Sequence, residues 1–421
     1  MRSLLGMLLL LAIGYALSRN RRAIRLRVLV PALLLQVALG ALVLYVDAGR
    51  SALAALANGV NRMLALGESG LQFMFGPLVG DGMARVFGGS GYVFAFRALP
   101  LIIFVTALIA VLYHLGLMRW IVNGTGFALE KLLGVSRIEA CAAVTTIFLG
   151  QSELPAMLKP FAPRLSSAEL FAVLCSGMAS TAGSVLAAYA GLGVRMDYLL
   201  AASVMAIPGG LLFAKLLFPG AGTPDLRLDI RSIEGQRAHN VIEAAATGAA
   251  LGLRVAVSVG AMLIAFIGLI ALLDAGVGIV AGLFGHPELG LQNLLGPLLA
   301  PLAWLIGVPW VDASLAGHWI AEKIILNEIV AYVDFSPYLK SPAELAAAGL
   351  PQLQASTEAI ISFALCGFAN LGSIAVLTGS FAAVCPQRQA EVAALGLRVV
   401  AAGTLSNLMS AAIAGLFFTL H

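Results

Sequence analysis

The sequence predicts an all-α polytopic membrane protein, with about eight transmembrane helices plus two re-entrant helical hairpins in an inverted repeat. Three observations carry this. Of 421 residues, 60% are hydrophobic and 11% charged, against roughly 45–50% and 25% in an ordinary soluble domain. Apolar stretches of about 18 to 25 residues recur along the whole length, as a hydrocarbon core about 30 Å thick requires, and mean hydropathy is +0.97. Two further apolar segments carry ionisable residues and turn signals midway, which suits entry and return better than crossing. A soluble enzyme is excluded.

The elements follow in order. Residues 2–18 combine one Arg, an apolar core and small residues near the end, a pattern shared with signal peptides. Arg19, Arg21, Arg22, Arg25 and Arg27 follow, and then another apolar stretch, which favours a first membrane helix. Spans are expected at about 4–18, 28–46, 94–118, 168–190, 198–217, 246–274, 357–382 and 393–418. Residues 50–80 have the pattern of an interfacial amphipathic helix. Leu294 to Gly307 is interrupted by Pro297 and Pro301 and is too short to cross alone. The two misfits, at roughly 140–163 and 312–334, are expected as hairpins.

Placing the arginine loop inside also brings Arg119, Lys131, Arg137, Lys159, Arg164, Arg227, Arg231, Arg237 and Arg388 inside. That is roughly a twofold excess of Lys and Arg, in the sense the positive-inside bias demands, and it leaves both termini outside. The first hairpin then opens from the inside and the second from the outside. Each precedes a span rich in small and polar residues, LCSGMASTAGSVLAAYAGLG from Leu174 and SFALCGFANLGSIAVLTGS from Ser362. This is the logic of an inverted-repeat transporter whose discontinuous helices meet near the midplane. The expected division is 1–135 for the N-terminal helices, interfacial helix and scaffold, and 136–218 for the first hairpin and broken helix. A cytoplasmic loop, Pro219 to Glu243, and a scaffold helix occupy 219–311, and the second repeat spans 312–421.

The formal charge of +4 is spread over short loops without a basic stripe, so nucleic acid is not an expected partner. Cys141, Cys175, Cys366 and Cys385 show no CxxC pairing and read as packing residues. The five histidines form no helical pair, the commonest metal-site signature.

Chemistry concentrates at two glutamates. A carboxylate at the centre of a membrane helix costs about 2.5–3.5 kcal/mol on insertion scales, so it needs a partner or a watery cavity. Glu153 lies in TTIFLGQSELP, between Gln151 and Pro155, and Glu328 lies in EKIILNEIVAY beside Asn327. Structural pairing offers an alternative for each, with Lys159 for Glu153 and Lys323 for Glu328. The broken spans add Ser180, Thr181, Ser184, Asn370 and Ser373. Any single Ser or Thr here also reads as helix-packing glue. Their convergence at equivalent points of a repeat points to a site for a neutral, hydrogen-bonding solute, and the two glutamates would repel a carboxylate or phosphate. An inverted-repeat symporter for another small polar metabolite, such as an amino acid, is the alternative, although no Arg lies in either hairpin tip or broken helix. No nucleophile–base pair supports an intramembrane enzyme.

GQSELP (Gly150 to Pro155), MASTAGSVLAAYAGLGV (Met178 to Val194), KIILNEIVAY (Lys323 to Tyr332) and ALCGFANLGSIAV (Ala364 to Val376) resemble signature stretches of the concentrative nucleoside transporter family. The similarity runs in the same order over about residues 94 to 418. It implies a cation-coupled importer of nucleosides such as uridine, working as an elevator, homotrimeric, in the plasma (bacterial inner) membrane, with no cofactor beyond a coupling ion. By that resemblance Gln151 and Glu153 bind the nucleobase with Val185 and Phe368 beside it, and Glu328, Asn370 and Ser373 hold the ribose. Thr146, Ser152 and Ser180, with the carbonyls of Leu149 and Thr181, would ligate sodium. Thr146 stands where sodium-coupled relatives carry Asn, and a hydroxyl residue there is similar to proton-coupled members, so a proton is the alternative driver.

Overall fold

The computed structural model describes residues 2–80, 83, 93–220, 238–283, 285, 286 and 290–419. Among them the secondary structure is helical, as a chain surrounded by hydrocarbon must be if its backbone groups are to be satisfied within each segment. The N-terminal part holds α1 (Arg2–Ala16), α2 (Leu26–Leu44), α3 (Asp47–Phe75), α4 (Phe94–His114) and α5 (Leu117–Leu133). The first hairpin is α6 (Arg137–Thr145), a turn, and α7 (Leu154–Leu158), followed by a helix broken into α8 (Ser167–Ala179) and α9 (Gly183–Gly191), then α10 (Met196–Leu217). Next come α11 (Val241–Gly282) and α12 (Leu291–Leu305). The second hairpin is α13 (Ala313–Ile325) and α14 (Glu328–Phe335); after the short α15 (Pro342–Ala348) a second broken helix, α16 (Ala355–Leu365) and α17 (Gly372–Val384), leads into α18 (Gln389–Phe418).

Hairpin, broken helix and plain helix therefore occur twice, as the sequence predicts. The longer arm of each hairpin has 9 and 13 residues respectively, about 14 and 20 Å at 1.5 Å per residue, too short for a core about 30 Å thick. Serine-x-x-glutamate capping boxes open both α6 and α8, where the backbone N–H of Ser136 donates to Glu139 and that of Ser166 to Glu169. Arg25, Ser136, Glu139 and Lys215 line one recess, Arg19 N–H donates to the Leu217 carbonyl, and Arg388 donates to the Leu165 carbonyl. These contacts gather the arginine loop, the open end of the first hairpin and the turn before α18 on one side. The loop from Pro219, with Arg227, Arg231 and Arg237, lies largely outside the described residues.

Three expectations need correction. The stretch from Leu117 to Leu133, given no element of its own beyond the span ending near 118, is a helix; Met118, Val122, Gly126, Leu129 and Leu133 recur at helical spacing and are buried. Pro297 and Pro301 do not interrupt α12, which is continuous through both. Gly296 of α12 and Gly317 of α13 bring the two backbones into contact, and a packed neighbour of this kind makes prolines tolerable in membrane helices. Finally, α11 extends beyond the expected 246–274 to 42 residues, about 63 Å. Gly248 and Gly252 seat it against the α4 backbone at Ile103, Thr106 and Ala107, the close approach that small residues permit.

Candidate functional site

The two helix breaks lie side by side. α8 stops where Ser180 turns extended, α16 stops where Cys366 does, and the Phe368 N–H donates to the Ser180 carbonyl at 3.2 Å. Each hairpin tip rests on its own break, with Ser180 Oγ donating to the Thr146 carbonyl at 3.3 Å and Leu371 N–H to the Ile324 carbonyl at 3.1 Å. The second break needs glycine: Gly367 has φ +156° and a side chain there would collide with Asn407.

A single hydrogen-bonded chain crosses this meeting point. Gln151 Nε2, at the first hairpin's tip, donates to Ser373 Oγ at 2.7 Å. Ser373 N–H donates to Asn370 Oδ1 at 2.8 Å, Asn370 Nδ2 to Glu328 Oε2 at 3.0 Å, and Tyr189 Oη to Glu328 Oε1 at 3.0 Å. Glu328 begins the second arm of the second hairpin, where Asn327 caps α14 by accepting from Val330 N–H. All four discontinuous segments thus contribute, and these side chains are buried. Gln151 Oε1 and Asn327 Nδ2 remain buried without partners, a state that is costly in a low-dielectric interior and that a polar solute would relieve.

Glu153 takes no part in that chain. It lies against the Gly150 backbone and Tyr113 of α4, and no ion pair joins it to Lys159, which is exposed. Val185 and Ser184 are buried on α9, and Phe368 is half-buried at the second break. Of the oxygens expected to hold a cation, Thr146, Ser180 and Thr181 are buried together; Thr146 Oγ1 donates to the Ala143 carbonyl at 2.9 Å, and Thr181 Oγ1 accepts from Cys366 Sγ at 3.6 Å. Ser152 is exposed and Leu149 half-buried.

Lys323 does not pair with Glu328. Its Nζ donates to the Ala364 carbonyl and to Asn407 Oδ1, each at 2.7 Å, while Asn407 Nδ2 donates to the Ala179 carbonyl at 2.6 Å and the Cys366 carbonyl at 2.9 Å. The last carbonyls of a helix have no partner within it. Lys323 and Asn407 supply partners at both breaks at once. Sequence reasoning missed Asn407 and Tyr189; a lone amide deep in an apolar helix, and a tyrosine whose hydroxyl needs a partner when buried, were the available signals.

With this geometry in view, the chain matches three family models: "Na+ dependent nucleoside transporter N-terminus" over residues 5–78, "Nucleoside recognition" over 95–196, and "Na+ dependent nucleoside transporter C-terminus" over 198–415. It is 50% identical over 420 residues to the putative nucleoside permease NupX of Escherichia coli, covering 100% of this chain and 99% of that protein. It is 46% identical over 419 residues to the nucleoside permease NupC of Helicobacter pylori, covering 100% and 98%. The solved structure of CNTnw in an inward-facing substrate-bound state superposes with a TM-score of 0.93 at 50% identity, covering 100% of this chain and 98% of the other.

Proposed function

We propose that this chain, which belongs to the Na+ dependent nucleoside transporter family, is a sodium-coupled importer of nucleosides such as uridine, working as a homotrimer by elevator-type alternating access. It is a multi-pass plasma-membrane protein and a transporter rather than an enzyme. The observation that carries the substrate reading is the chain from Gln151 through Ser373, Asn370 and Glu328 to Tyr189. An ionised carboxylate accepts two hydrogen bonds, and vicinal ribose hydroxyls offer two donors. In this reading the ribose displaces the bonds now made to Glu328 by Tyr189 and Asn370, with Ser373 completing its contacts. Gln151 and Glu153 read the base, which packs against Val185 and Phe368. The two repeats, 136–218 and 312–421, move as the transport part against a scaffold built from the remaining helices.

Sodium would lie at the first break, held by oxygens of Thr146, Ser152 and Ser180 and the carbonyls of Leu149 and Thr181. Hydroxyl and carbonyl oxygens suit a hard cation, and Thr146 and Ser180 are buried side by side at this break. One charge moving inward down about 100 mV yields about 2.3 kcal/mol, enough for roughly fiftyfold accumulation of a neutral solute.

The test is uptake of labelled uridine into proteoliposomes at fixed membrane potential, with sodium and proton gradients varied independently. Saturable uptake that follows sodium, and that nucleosides but not amino acids compete for, is the expected result. Uptake that follows only the proton gradient would replace sodium with a proton; competition by amino acids alone would overturn the nucleoside reading.

A further inference from the structure

We propose that His318, Glu322 and Asp334 form a site for one divalent transition-metal ion, zinc by its donor set, on the flank of the second hairpin. His318 and Glu322 are one helical turn apart on α13, so they share a face. The chain then reverses, and Asp334 of α14 returns beside them. One donor atom from each of the three lies within 4.8 Å of the others. Zinc held by nitrogen and oxygen donors at about 2.0–2.2 Å in a tetrahedron separates those donors by about 3.4 Å. His318 Nε2 and Asp334 Oδ2 already stand 3.5 Å apart, and a Glu322 carboxylate oxygen lies within the same 4.8 Å span.

A second, independent observation points to a ligand. Glu322 Oε2 is buried without a hydrogen-bond partner, in a residue only 6% exposed. A carboxylate oxygen withdrawn from water in this way is costly unless a cation or donor meets it. Asp334 is held by Trp319 Nε1 at 2.8 Å, the kind of outer contact that orients a metal-binding carboxylate. Asp274 of α11 adds negative field at His318 and Glu322. The Asp334 side chain, 47% exposed, gives an ion its way in. With two carboxylates beside it, the imidazole is the donor that favours zinc over the alkaline-earth ions.

The site stands apart from the nucleoside network. Lys323, next in the chain to Glu322, turns instead toward Asn407. A bound ion joins α13 to α14, the two arms whose junction carries Asn327 and Glu328.

The test uses purified, tag-free full-length protein stripped with EDTA and titrated with cobalt(II), whose visible absorption reports tetrahedral binding, followed by displacement with zinc. One ion per chain is expected. Asp334→Asn, a change at a half-exposed position, and His318→Gln should each weaken binding by at least about tenfold, with gel filtration and thermal unfolding confirming the fold of both. No cobalt signal in the parent, or unchanged affinity in folded Asp334→Asn, would overturn the proposal. The readout is metal binding, so it succeeds or fails independently of the nucleoside assignment.

Discussion

Gln151 Nε2 and Ser373 Oγ lie 2.7 Å apart although 222 positions separate them in the chain, so the tip of the first hairpin is tied to the break of the second repeat. This bond joins the two repeats, and under the proposed function a nucleoside must compete with it. Ser373→Ala is expected to weaken uridine binding by about 0.5–1.5 kcal/mol, the ordinary value of one neutral hydrogen bond. Isothermal titration of Gln151→Ala, Ser373→Ala and the double variant should show non-additive losses, because the two side chains share one interaction. Additive losses would show that the bond between them does not oppose binding.

Glu328 accepts from Tyr189 and Asn370, and under the proposed function it is the acceptor for the ribose hydroxyls. Glu328→Gln keeps the size and removes the charge, and is expected to cost about 1.5–3 kcal/mol of uridine affinity. The penalty should shrink for 2′-deoxyuridine, which has lost one of the donors in question. Titration of both ligands against both proteins checks this coupling.

The Lys323–Asn407 pair serves the helix breaks. Asn407→Ala deprives the Ala179 and Cys366 carbonyls and Lys323 of a partner, with an expected loss of about 1–3 kcal/mol per orphaned group. Thermal unfolding in detergent should place Asn407→Ala well below the parent. Gly367→Ala should fall too, from collision with the same side chain.

Lys215 Nζ donates to Glu139 inside the bundle, joining α10 to the cap of the first hairpin. Breaking a buried pair by removing one member costs about 3–5 kcal/mol because the other charge is stranded. Lys215→Met should therefore unfold at markedly lower temperature, and Lys215→Met with Glu139→Gln should recover much of the loss. A double variant as unstable as the single one would show that the lysine acts by packing.

Much of this arrangement was legible in the residues. The hairpins announced themselves through Glu153 and Glu328 in apolar surroundings, and the broken helices through runs of Ser, Thr, Gly and Asn. These signals also found Gln151, Asn370 and Ser373, which the structure brings together with Glu328. The rest depended on contacts across the chain. Whether Lys323 meets Glu328 or the carbonyls at a helix break follows from packing, which spacing along α13 does not encode. Helix α5 escaped notice because Arg119, Asn123 and Lys131 break the apolar run, although Arg119 and Asn123 are half-buried and only Lys131 is exposed. The prolines of α12 misled because their cost depends on a neighbouring backbone at Gly317.

The most direct measurement is concentrative uptake of labelled uridine into proteoliposomes by the parent and by Glu328→Gln under the same imposed sodium gradient and potential. If four discontinuous segments build one nucleoside site around Glu328, the parent accumulates uridine and the variant's uptake at sub-saturating substrate falls by at least about tenfold, as loss of a charged acceptor requires. Equal uptake by the two proteins would contradict it.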